Sequence, residues 1–109
     1  MATDHLTLTI ESAPPVLRLA LLGELDMASA PALIRFVEQL DLGSIDEVRI
    51  DCWGLTHVES AGITALLRLR AAADRTGAVV CLERVKPTQR SVLEIAELLE
   101  LLHVDQHSG

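Results

Sequence analysis

Near the start of the chain apolar and polar side chains alternate, with Leu6, Leu8 and Ile10 in one phase and Thr7, Thr9 and Glu11 in the other. A period of two predicts a strand with one buried face. After the turn signal Ala13-Pro14-Pro15, the run Val16–Leu22 is apolar except for Arg18. Such a run predicts a central strand covered on both faces, paired with the first as a hairpin. The period then changes. Ala30, Leu33, Ile34, Val37 and Leu40 share one helical stripe, with Arg35, Glu38 and Gln39 off it. Pro31 sits in the first turn, where a missing N–H costs nothing.

Gly43 ends that segment, and Val48–Cys52 alternates again as a short strand. A loop is expected from Trp53 to Glu59. Ile63, Leu66, Leu67 and Ala71 mark a second helical stripe running to about Asp74, closed by Gly77 and followed by a buried strand, Ala78–Leu82. A last helix introduced by Pro87-Thr88 would bury Val92, Ile95, Ala96 and Leu99, and Leu101–Val104 reads as a terminal strand or a helical continuation. The order predicts an α/β fold, a mixed sheet of four to five strands packed with helices, because parallel strands need crossovers. One domain is expected over residues 1–109, with its core at about 6–104 and short flexible termini.

Charge narrows the classes of partner. The chain of 109 residues has a formal net charge of −7, and its nine basic residues are spread from Arg18 to Arg90. Nucleic-acid binding needs clustered Lys and Arg, so it is not expected. No apolar run approaches the roughly 20 residues that span a bilayer, so no membrane segment is expected. The N-terminus lacks a basic region followed by an apolar core, which makes the cytoplasm the expected compartment. Cys52 and Cys81 lie in apolar strand-like runs without CxxC spacing and read as buried, reduced thiols. His5, His57, His103 and His107 show no metal-site spacing, so no metal is assigned. No cofactor is assigned either: there is no Gly-rich phosphate loop, and Lys86 is the one lysine.

The chemistry concentrates in Val48-Arg-Ile-Asp-Cys-Trp-Gly-Leu-Thr-His-Val-Glu-Ser-Ala-Gly-Ile-Thr-Ala-Leu-Leu67. Ser60 lies just before the apolar stripe that begins at Ile63, with Ala61 and Gly62 between them. It is placed as an N-cap, whose hydroxyl accepting a backbone N–H contributes about 1 kcal/mol. The segment also resembles the signature of STAS domains, in which a strand ends in Asp and an Asp-Ser-Ser-Gly-like tetrad opens a helix. Here the tetrad is Glu59-Ser60-Ala61-Gly62. Gly23-Glu24-Leu25-Asp26 resembles the family's turn between strand and helix, and Arg90-Ser-Val-Leu-Glu-Ile95 a third motif. The tetrad departs from the family in Glu59 for Asp and Ala61 for a second Ser, and Glu97 stands where relatives commonly have Gly.

The resemblance implies an anti-sigma factor antagonist. The unmodified form would bind an anti-sigma factor that is also a serine kinase, freeing a sigma factor. Phosphorylation of Ser60 would end that complex, and a serine phosphatase would reset it. The protein is then a ligand and a substrate, not a catalyst. The implied partner-binding residues are Glu24, Asp26, His57, Glu59, Ser60, Ala61 and Gly62. The alternative is a STAS scaffold module in a larger signalling assembly, where Ser60 is structural. A hydrolase using Ser60 with His57 lacks a carboxylate partner for the histidine and is set aside. Trp53 reads as a core-edge residue or a partner anchor, with the former favoured. An exposed subset of Leu98, Leu99, Leu101 and Leu102 would make a weak homodimer contact.

Overall fold

The computed structural model describes residues 5–87 and the two-residue strand 103–104. Its elements run β1 (Leu6–Ala13), β2 (Val16–Leu25), α1 (Ala30–Glu38), β3 (Glu47–Val58), α2 (Ser60–Asp74), β4 (Val79–Glu83) and β5 (His103–Val104). The expected last helix, the third motif and the four C-terminal leucines lie outside the described residues.

The strands form one five-stranded sheet in the order β1-β2-β3-β4-β5. β1 and β2 pair antiparallel through the tight turn at Pro14-Pro15, and every later pairing is parallel. The expected mixed α/β sheet is therefore present. Parallel neighbours require crossovers, and α1 and α2 supply the first two. The two helices pack on each other, and their buried side chains belong to the same core as those of the sheet.

Both described helices, α1 and α2, pack on one face of the sheet, and the burial of β2 is one-sided, which corrects the expectation for that strand. Leu17, Leu19, Leu21 and Leu25 are buried, whereas Arg18 is exposed and Leu22 is 46% exposed. The strand is central in the sheet but, among the described residues, covered on one side only. Ile10 is likewise 49% exposed, although its phase matches that of buried Leu6 and Leu8. β4 alternates in the same way, with Val80 and Leu82 buried and Val79 exposed.

β3 departs most from the sequence reading. It continues to Val58 through the stretch expected to be a loop. Two register shifts against β2, one between Ala20 and Leu22 and one between Gly23 and Glu24, each place an extra residue in β3. As a result the inward residues after Ile50 are Cys52, Leu55 and Val58, three apart rather than two. Gly54 makes the first shift possible, since a Cβ there would lie 2.8 Å from Leu22 Cγ and 2.9 Å from the Leu21 carbonyl oxygen.

In α2 the buried residues are Gly62, Ile63, Ala65, Leu66, Leu69 and Ala73. Leu67 is half-buried and Ala71 exposed, so the stripe is rotated from the expected one. The small Ala65 and Ala73 are both fully enclosed, so the buried face of α2 is centred nearer to them than to Ala71.

Candidate functional site

The C-terminal ends of β2 and β3 and the starts of α1 and α2 meet at one end of the sheet. Glu24 pairs in register with His57, and Leu25 with Val58. Directly after Val58 the chain turns into α2, and the Glu59 N–H donates to the Leu25 carbonyl at 2.9 Å. Glu59 is extended, with φ −111° and ψ 172°, and is the N-cap of α2 without making a side-chain cap. Ser60 is thus the first helical residue, which corrects its expected role as the cap. Its side chain is exposed.

Gly62 sets how closely this helix start sits on the sheet. A Cβ at Gly62 would lie 2.5 Å from Leu25 Cγ and 2.8 Å from the Leu25 carbonyl oxygen. The Gly62 and Ile63 N–H groups donate to the Glu59 carbonyl at 2.9 and 3.1 Å, closing the first turn. Those of Ser60 and Ala61, at the first two helical positions, have no intrahelical acceptor. They lie at the positive end of the helix dipole, a setting that favours an anion on Ser60.

The neighbouring turn is built on Asp26. Its Oδ1 accepts from the N–H groups of Ala28 and Ser29, both at 3.0 Å. The fully buried Ser29 hydroxyl accepts from the Asp26 N–H at 3.0 Å and donates to the Glu24 carbonyl at 2.8 Å. Partial burial pushes the Asp26 carboxyl upward, but hydrogen bonds from Ser29 and Ala28, with the nearby His5, outweigh it and hold it below the usual carboxylate range. Asp26 is therefore a turn organiser whose other oxygen, Oδ2, lies 3.7 Å from His5 Nδ1. Glu24, 48% exposed at its side chain, is free of such duties.

The structure brings Glu24, Asp26, His57, Glu59, Ser60, Ala61 and Gly62 to this one end of the sheet. His57 turns Nε2 toward Glu59 Oε2 at 3.5 Å, so the Ser60–His57 pair of the hydrolase reading is not formed. His5 was missed by sequence reasoning. Its Nδ1 lies 3.2 Å from Glu24 Oε2, and the hairpin register that brings them together continues one step beyond the Leu6–Gly23 pair.

Trp53 is 53% exposed on the face opposite α1 and α2 rather than at a core edge. Arg84 and Lys86 approach its ring, at 5.7 and 5.2 Å from the centroid. Cys52 is buried as expected, and burial, with Asp51 and Glu83 nearby, pushes its thiol up to about 12. Cys81 is only half-buried. Among the described residues no helix is long and apolar enough to cross a membrane.

A family model described as "Mlab, STAS domain" matches residues 6–103. The chain belongs to the STAS-domain family. Among solved structures it is similar to an anti-sigma factor antagonist from Mycobacterium paratuberculosis, with 24% identity, a TM-score of 0.74, and coverage of 96% of this chain and 89% of that one. It is also similar to the Bacillus cell fate determinant SpoIIAA in its phosphorylated form, at 16% identity and TM-score 0.69, covering 93% of each chain. A sulfate transporter family protein from Wolinella succinogenes shares the fold at 15% identity and TM-score 0.73, over 86% of this chain and 80% of that one. Comparison with curated proteins gives no significant sequence match. Likeness at these identities establishes the fold, which anti-sigma factor antagonists and a transporter relative have in common.

Proposed function

We propose that this protein is an anti-sigma factor antagonist acting in the cytoplasm, with Ser60 as its phosphoacceptor. Unphosphorylated, it binds an anti-sigma factor that is also a serine kinase and so frees a sigma factor. The kinase then phosphorylates Ser60 and dissociates, and a serine phosphatase restores the starting state. The observation that carries this reading is the exposed Ser60 at the first position of α2. A kinase can reach that hydroxyl without unfolding anything.

The setting also supports a switch. A phosphate adds about two negative charges, which the helix N-terminus accommodates, so the domain keeps its fold. A docked partner covering Ser60 would have to desolvate the new charge. A loss of about 3 kcal/mol weakens a complex more than a hundredfold. Glu24, Asp26, His57 and Glu59 form the docking surface with Ser60, Ala61 and Gly62, and its carboxylates suit a basic or neutral partner face. In this scheme the chain performs no chemistry itself.

Affinity capture from native cytosol with wild-type, Ser60→Ala and Ser60→Asp baits tests the proposal. Retention of a serine kinase of the anti-sigma type by Ser60→Ala and its loss with Ser60→Asp are expected. The same partners on all three baits would make Ser60 structural and the domain a scaffold.

A further inference from the structure

We infer that His5, Glu24 and Asp26 form a binding site for one first-row divalent cation, such as Zn2+ or Mn2+. His5 Nδ1 lies 3.2 Å from Glu24 Oε2 and 3.7 Å from Asp26 Oδ2, and the three atoms all lie within 4.8 Å of one another. Metal bonds of about 2.1 Å place tetrahedral ligands about 3.4 Å apart. Small side-chain adjustments therefore let all three atoms reach one ion. An imidazole among the donors favours Zn2+ and its first-row neighbours, whereas Mg2+ and Ca2+ prefer oxygen alone. Water completes the shell, since His5 and Glu24 are exposed at 44% and 48%.

The three donors are held together before any ion arrives. The His5 carbonyl accepts from the Glu24 N–H at 2.7 Å, and Gly23, at φ +110°, permits this approach because a Cβ there would lie 2.3 Å from that same oxygen. Ser29 ties the Glu24 carbonyl to the Asp26 N–H. Asp26 spends Oδ1 on two backbone N–H groups and turns Oδ2 to His5. Such outer bonds fix the orientation of a metal ligand. An ordinary ion pair is the competing use of the cluster. One imidazole, however, carries at most one positive charge against two converging carboxylates, and among the described residues no Lys or Arg pairs with either. A divalent ion satisfies both.

The cation site shares Glu24 and Asp26 with the proposed docking surface but takes no ligand from Ser60, so ion binding does not depend on the phosphorylation state of that serine. Calorimetric titration of the metal-free full chain with ZnCl2, and separately with MnCl2, tests the site. One equivalent of at least one ion is expected to bind, with affinity at least about tenfold weaker in both His5→Ala and Glu24→Gln. Both changes are at exposed side chains, and circular dichroism checks that each variant is folded. A His103→Ala/His107→Ala chain is expected to bind as wild type does. Absence of saturable one-to-one binding of either ion, or wild-type affinity in either single variant, overturns the inference.

Discussion

Replacing Gly62 with alanine sets two effects of opposite sign against each other. Helix propensity alone favours alanine over glycine by about 1 kcal/mol. The new methyl, however, would start 2.5 Å from Leu25 Cγ and 2.8 Å from the Leu25 carbonyl oxygen. Leu25 has no exposed surface, and its carbonyl is held by the Glu59 N–H. It has nowhere to go. Overpacking of this kind costs about 1–3 kcal/mol, and forced movement of backbone places it at the upper end. The net expectation is destabilisation of about 1–2 kcal/mol, after the propensity gain is subtracted. With a urea slope of about 1–3 kcal/mol per molar, the midpoint falls by roughly 1 M at unchanged slope. In a Leu25→Ala background the same change costs less, because the clashing side chain is gone. A midpoint equal to or above wild type would refute the reasoning, and an undiminished penalty in the Leu25→Ala background would remove Leu25 as its cause.

Three further outcomes follow from other contacts. Ser29→Ala strips the buried hydroxyl that links Asp26 to Glu24, and a loss of about 1–3 kcal/mol is expected in chemical denaturation. Burial pushes the Asp51 carboxyl upward, but bonds from Arg84 and the Trp53 N–H outweigh it and leave it below the usual value. Its stabilisation is therefore present above the ordinary carboxylate pKa and lost as pH falls through the lowered folded one. Stability curves of wild type and Asp51→Asn should accordingly converge once the pH has fallen well below the ordinary carboxylate range. A gap that persists there would contradict the pairing. Cys52, with its thiol raised to about 12, should resist alkylation in the native protein while half-buried Cys81 reacts first. Mass spectrometry of briefly treated protein checks the order.

Most elements were legible because single-faced burial leaves a clean period. Leu6 and Leu8, the α1 stripe from Ala30 to Val37, and Val48 and Ile50 all lie where the pattern puts them. The second half of β3 was not legible. Its two extra residues convert a spacing of two into the Cys52, Leu55, Val58 spacing of three, which imitates a loop in sequence. The α2 stripe was misplaced because Ala65 and Ala73 are buried whereas Ala71 is exposed, and alanines of equal size give no signal of which lies inward.

The candidate site was legible where one short motif held it, in Glu59–Gly62, and where a turn signal did, in Gly23–Asp26. Its three-dimensional closure was not. The role of Gly62 depends on Leu25, thirty-odd positions earlier, and the His5 contact depends on a hairpin register that runs past the expected end of β2 at Leu22. Ser29, a buried serine inside a run of small residues, gave no signal of its own.

The most direct measurement is the phosphorylation state of Ser60 after the chain is incubated with ATP, Mg2+ and cytosol from its own cells, read by mass spectrometry beside a Ser60→Ala control. One phosphate on Ser60 and none on the control is the predicted result. No phosphate on the wild type, or an equal amount on the control, would contradict the account.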